Sequence, residues 1–331
     1  MTASILLFSV TIYERTSMRN SGIGGQAVLE GIMMKNKDKY AVAVRKPDHD
    51  IEICVKEYKS LTSKNKFFSA PFIRGVFNFA DSLVLGMSTL MYSASFYDDE
   101  EPEDTKKSEK KCAKNTDESF KQKQESVIMT ITVIISVIIS LALFIVAPSL
   151  ISDFIKMQFG IKMRFVNSLI ESFLRLAIFL AYIVLISKME DIQRTFMYHG
   201  AEHKCINCVE SGKELTVENV LESSRLHRRC GTSFLFLVMF ISILFFILIP
   251  VEQPLLKIVV RLLLIPVIAG VSYEVLRYAG SHDGVCVRMV SAPGLALQKL
   301  TTKEPDAEMA EVAIKAVEAV FDWKEYLRSL E

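Results

Sequence analysis

The stretch from Ser126 to Ser152 contains no charged side chain. A bilayer core about 30 Å thick needs roughly 20 helical residues to cross it, so this run spans with length to spare. Part of the chain must therefore dissolve in lipid. Phe165 to Ser187 follows, interrupted only by Glu171 and Arg175, whose i,i+4 spacing lets them pair on one helical face. Gly231 to Val251 is again free of charge, and Pro254 to Tyr273 comes after a short connection containing Glu252, so these two read as a transmembrane hairpin. Lys257 and Arg261 fall in the first turns of the fourth helix, where long side chains can snorkel to the interface. The expected fold class is mainly α: a polytopic membrane helical bundle over 126–279, with a small cytoplasmic β-hairpin or sheet near the N-terminus.

Orientation follows from the basic residues. Lysines crowd the segment before the first span, from Lys106 to Lys123, and basic residues recur in the second connection from Lys188 to Arg229. The first connection has only Lys156, Lys162 and Arg164, and the third has none. The positive-inside rule then places both termini and the second connection in the cytoplasm. Thiols in a reducing compartment are metal ligands or inert groups rather than bridges, and six scattered cysteines do not make a disulfide scaffold. With 39 basic against 38 acidic side chains, the charge carries no nucleic-acid footprint. The expected partner is the lipid bilayer. Residues 1–20 read as an N-terminal extension, because the apolar run Ala3 to Ile12 lacks a basic flank and a small-residue cleavage site.

Outside the spans, 21–60 reads as a small β-rich region. Tyr40 to Arg45 and Ile51 to Lys56 are strand-like runs separated by a Lys46–Asp50 turn, and Gln26 to Met34 is a candidate third strand. Gly22, Gly24 and Gly25 match no phosphate loop and read as a turn. Over 70–97 an apolar helix carries Arg74, Asn78 and Asp81 as one polar stripe, which suits an interfacial or bundle-packed element. The segment 98–125 is a charged linker. The region 280–331 closes with an amphipathic helix bearing Met309, Val312, Ala313, Ala316, Val317 and Val320 at helical spacing.

The chemistry concentrates in the second connection, a His/Cys-rich loop over 188–230. His199 and His203 stand i,i+4, so on a helix both imidazoles can face one metal ion. Glu202 between them completes an H-x-x-E-H order, in which two histidines bind zinc and the glutamate activates a water. A rival set, Cys205, Cys208, His227 and Cys230, has the spacing of a closed structural zinc site. Glu274, near the end of the fourth span, is a further candidate ligand or a carboxylate paired with Arg277. Mixed imidazole and thiolate ligands favour zinc. Two functions follow: a zinc-dependent hydrolase at the cytoplasmic membrane face with Glu202 as the catalytic base, or a non-catalytic scaffold stiffened by a structural metal.

Several longer motifs narrow the field. Gly24-Gly-Gln-Ala-Val-Leu-Glu-Gly31, Pro71-Phe-Ile-Arg-Gly-Val76, Tyr198-His-Gly-Ala-Glu-His-Lys204, Leu226-His-Arg-Arg-Cys-Gly-Thr-Ser-Phe234 and Ser272-Tyr-Glu-Val-Leu-Arg277 together resemble the bacterial YqhQ family of predicted metal-dependent membrane proteins. The resemblance covers almost all the chain after the first twenty residues. It implies a bacterial plasma membrane and a metal role for His199, Glu202, His203, His227 and Cys230, with Glu274 as a further candidate. Cys205 and Cys208 lie outside the family's usual pattern, which weighs against the four-ligand clamp. The family supplies no reaction.

Overall fold

The computed structural model describes residues 20–64, 66–97, 120–160, 162–249, 251, 253–282 and 284–330. All but the last residue of the N-terminal extension, and the linker as far as residue 119, fall outside them. The strands are β1 (Ile23–Val28), β2 (Gly31–Asn36), β3 (Lys39–Arg45) and β4 (Ile51–Glu57). The helices are α1 (Ile73–Ala94), α2 (Phe120–Leu141), α3 (Ala147–Phe159), α4 (Arg164–Ile186), α5 (Glu190–Glu210) and α6 (Val217–Glu222). They continue with α7 (Gly231–Leu248), α8 (Pro254–Ser281), α9 (Val285–Thr301), α10 (Ala307–Glu318) and α11 (Trp323–Arg328). The chain divides into two compact units, one of Met1–Asp99, Ser187–Leu237 and Ala269–Glu331, the other of Glu100–Ile186 and Val238–Ile268.

The first unit is built on an antiparallel sheet in the order β1-β2-β3-β4. The run expected as one strand over 26–34 is instead the turn of a hairpin, with Val28 paired to Gly31 around Leu29 and Glu30. Glu30 and Lys37 both take positive φ, which closes the first two hairpins with two-residue connections, and His49 does the same in the third turn. Gly24 and Gly25 lie within β1, opposite Lys35 and Met34, and not in the turn their composition suggested. Alternation along β2 explains why the sheet is buried twice over. Ile32 and Met34 face one core with Ala43, while Met33 joins Val28, Val42 and Val44 in the other. Leu85 of α1 packs on the second core. The first core receives Tyr198, Ala201, Cys205, Ile206 and Val209 of α5, together with Met309, Val312, Ala313, Ala316 and Val317 of α10.

The C-terminal amphipathic helix thus spends its apolar face on the sheet. Asp306 caps it by accepting from the Met309 N–H at 2.8 Å. The polar stripe on α1 is likewise occupied. Arg74 forks onto Glu274 of α8, Asn78 donates to Tyr273 Oη at 2.8 Å, and Asp81 accepts from Ser60 Oγ at 2.5 Å and from the Leu61 N–H at 2.9 Å.

The second unit holds most of the apolar helix. Among the described residues, four helices are long and apolar enough to cross a membrane: Thr130–Phe159, Phe165–Ile186, Gly231–Leu248 and Leu255–Ser281. The first runs through a π turn at Ala142–Val146. Pro148 would press its ring on the carbonyl of Phe144 in a regular helix, and the wider turn relieves that clash. Phe144 then packs edge-on against Phe179 and Tyr182 of α4, with ring centres 6.3 and 5.4 Å away. Lys257 and Arg261 do not snorkel. They are only 8 and 6 % exposed and both pair with Glu171 of α4, because a carboxylate inside the bundle offers a better partner than a distant interface.

Candidate metal centre

Helix α5 is an unusual core element, since its buried half includes Glu202, His203, Lys204, Asn207 and Glu210 beside Tyr198 and Cys205. A buried polar group must find partners, and these find them largely in backbone. Lys204 Nζ donates to the carbonyls of Leu221 at 2.7 Å and Ser223 at 2.9 Å; Asn207 Nδ2 donates to those of Ser224 at 2.6 Å and Leu226 at 3.0 Å. These contacts fold the segment after α6 back along α5 and bring Cys230 to the two histidines. The segment after α9 is pinned on the same helix: the Lys303 N–H donates to the Phe196 carbonyl at 2.9 Å. There only a glycine fits at position 200, since a Cβ would lie 2.0 Å from the Lys303 carbonyl oxygen.

The ligand-type atoms of His199, His203 and Cys230 all lie within 4.8 Å of one another, a group that could hold a metal ion. His199 Nε2 is 3.2 Å from Cys230 Sγ. Each histidine uses its other nitrogen on backbone, with His199 Nδ1 2.9 Å from the Thr301 carbonyl and His203 Nδ1 2.7 Å from the Arg225 carbonyl. A carbonyl can only accept, so both Nδ1 atoms carry a proton, and the nitrogen each ring turns toward the Cys230 sulfur is Nε2. This is the outer-shell arrangement by which proteins orient metal-binding imidazoles. Cys230 is further held by Thr232, whose Oγ1 is 2.8 Å and whose N–H is 3.4 Å from the sulfur.

The electrostatics match that donor set. Burial opposes the charged forms of both His199 and Cys230, but their mutual attraction outweighs it. His199 is raised to about 9, and the Cys230 thiol is held well below its ordinary range by the imidazoles of His199 and His203. Burial pushes the Glu202 carboxyl above the usual carboxylate range, against the pull of both histidines and a hydrogen bond from the Gly25 N–H. Gly25 on β1 meets Glu202 so closely that a Cβ there would lie 2.9 Å from its Cγ.

The remaining candidates sit apart from the three-atom group. The His227 ring centre is 5.6 Å from that of His203, and its Nε2 turns to Glu210 Oε2 at 3.7 Å. Its backbone is gripped by Gln298 of α9, which accepts from the His227 N–H at 2.9 Å and donates to the His227 carbonyl at 2.7 Å. Burial lowers its basicity despite Glu210. Glu210 also accepts from Arg229 and from Ser21, whose N–H and Oγ lie 2.9 and 2.7 Å away. Cys205 and Cys208 are free thiols buried in the first core, and Cys208 Sγ lies 3.4 Å from the Glu214 carbonyl. Glu274 is engaged by Arg74 at 2.6 and 2.5 Å, not by Arg277. Spacing paired His199 with His203 but put Cys230 in the rival set with Cys205, Cys208 and His227, whereas the structure groups Cys230 with the two histidines. Spacing also missed Thr301, Arg225, Gln298 and Gly25, three of which act through backbone atoms and leave no residue-type signature.

A family model described as a protein of unknown function (DUF1385) matches residues 70–323. The chain is also similar to the uncharacterized protein YqhQ of Bacillus subtilis (strain 168), at 35 % identity over 298 residues, covering 88 % of this chain and 90 % of the relative. No solved structure matches it.

Proposed function

The chain belongs to the DUF1385 family and to the family of YqhQ, and on that premise we propose that it is a zinc-dependent membrane hydrolase whose centre is held by His199, His203 and Cys230. One observation carries this reading: two imidazoles, each tethered to a carbonyl through Nδ1, converge with one cysteine sulfur so that the three could share a metal ion. Three protein ligands of this mixed kind suit zinc and leave the fourth position that catalytic sites keep open. A zinc ion held there would supply Lewis acidity. The chain's own contribution is proton handling. Glu202 is next to His203 in sequence, its carboxyl is kept above the ordinary range by burial, and the Gly25 N–H fixes its orientation. A carboxyl shifted in that direction holds a proton more readily than an exposed one, as a general acid or base requires. Cys230 directly precedes α7, so the substrate bond would be met close to the membrane boundary, on the cytoplasmic side by the charge asymmetry.

The rival reading is a structural metal clamp in a membrane scaffold, and the burial of Glu202, His203 and Cys230 at 5, 1 and 6 % exposure favours it. Glu202→Gln separates the two. It keeps size and removes the base, so the hydrolase reading expects normal zinc content with failure to complement a deletion strain. Full complementation by this variant would abolish the hydrolase and leave the scaffold.

A further inference from the structure

The second unit contains a concentration of charge that the metal centre does not use. Glu171 of α4 lies at its middle, 4 % exposed. It pairs with Lys257 at 2.9 Å, with Arg175 one turn along its own helix at 3.3 Å, and with Arg261. Lys257 also lies 3.5 Å from both carboxylate oxygens of Asp153 on α3. Arg175 and Arg261 place their guanidinium carbons 4.5 and 4.9 Å from the ring centre of Phe246, whose π face meets two cations.

The cluster does not neutralise itself. Arg175, Lys257 and Arg261 bring three positive charges against Glu171 and Asp153, and Lys156 borders the same space. Within an apolar bundle surplus charge is costly, and ionisable groups in spanning helices mark binding or transport sites by default. Two separate details bear on a counter-charge. The Nε atom of Arg175 is buried with no hydrogen-bond acceptor among the described residues. A cavity of about 50 Å³ opens beside the cluster, lined by the cations Lys156, Lys257 and Arg261, by the carboxylates Asp153 and Glu171 they face, and by Asn167 and Ser168. The planar Arg261 guanidinium, with two lysines and amide and hydroxyl groups beside it, matches an oxyanion with several acceptor atoms better than a spherical halide.

We propose that this cavity between α3, α4 and α8 binds a phosphate-type oxyanion, which completes the charge balance of the Glu171 cluster. The chemistry is shared by inorganic phosphate and by the headgroup of an anionic phospholipid, and the bundle's position in a bilayer makes both accessible.

The test uses the full-length protein. In neutral detergent, sodium phosphate is titrated against sodium chloride at matched ionic strength, so that screening cancels, and Tm is read. The same protein is then melted in nanodiscs of phosphatidylcholine with and without phosphatidylglycerol. A saturable, phosphate-specific rise in Tm supports a free oxyanion, and stabilisation by phosphatidylglycerol alone supports a lipid headgroup. Lys257→Gln should weaken the response about tenfold or more, as loss of a charge-assisted hydrogen bond does. Lys156→Gln, at an exposed residue that borders the cavity, should weaken it less and remains readable if Lys257→Gln does not fold. The proposal is overturned if neither phosphate nor phosphatidylglycerol stabilises the wild type beyond its control, or if both variants respond as the wild type does.

Discussion

A single methyl group at position 200 should disturb both the fold and the metal centre. In Gly200→Ala the new Cβ would lie 2.0 Å from the Lys303 carbonyl oxygen, where real Cβ atoms keep at least 3.0 Å. The obstacle is backbone, so no side chain can rotate out of the way, and the 301–303 segment must retreat from α5 by about 1 Å. The Thr301 carbonyl belongs to that segment and stands 2.9 Å from His199 Nδ1. A retreat of that size takes the contact to about 3.9 Å, beyond hydrogen-bonding reach. His199 then loses the tether that fixes its tautomer. Removing such an outer-shell partner lowers metal affinity by about 10- to 100-fold, and overpacking costs about 1–3 kcal/mol of stability. Competition against a chromophoric chelator measures the first effect and thermal melting the second. Gly24→Ala is the control, because no atom lies within 4 Å of a Cβ built there. Wild-type zinc affinity and Tm in Gly200→Ala would refute the reasoning.

Two further outcomes follow. Burial opposes ionisation of Glu210, but the neighbouring His227 and the charge of Arg229 bring it down from 4.5 to about 2. Its contribution is therefore complete above pH 4.5 and lost as pH falls toward 2, so wild type should exceed Glu210→Gln by about 3 kcal/mol at pH 5 and lose that margin through this window; a pH-independent difference would contradict the ion pair. Reporter fusions after Ser152 and Val251 should read outside and one after Lys213 inside, and a cytoplasmic signal at Val251 would break the orientation.

The spans were legible because lipid demands long uninterrupted runs, and β3 and β4 because their β-rich runs flank a clear turn, whereas β1 and β2 were read as one strand across the turn at Leu29 and Glu30. The amphipathic spacing of Met309 to Val317 likewise marked a helix with one buried face. What it packs on was not legible, since nothing local distinguishes a sheet from a lipid surface. Helix α5 was harder still. Its lower half is as polar as a solvated connection, yet Lys204 and Asn207 are buried because carbonyls of the 221–226 segment receive them. The i,i+4 spacing of His199 and His203 pointed to a shared site. Their carbonyl tethers come from Thr301 and Arg225, contacts across the chain that residue type does not encode. The same limit applies to Glu274, whose partner Arg74 lies on α1, and to Lys257 and Arg261, whose partner lies on another spanning helix.

The most direct test of the metal centre is elemental analysis of the purified full-length protein from zinc-supplemented cells, beside a variant carrying His199→Ala with His203→Ala. One zinc per chain in the wild type, lost in the double variant while the helical circular dichroism persists, is the expected result. Equal metal in both proteins, or none in the wild type, would contradict a centre built on these two histidines and Cys230.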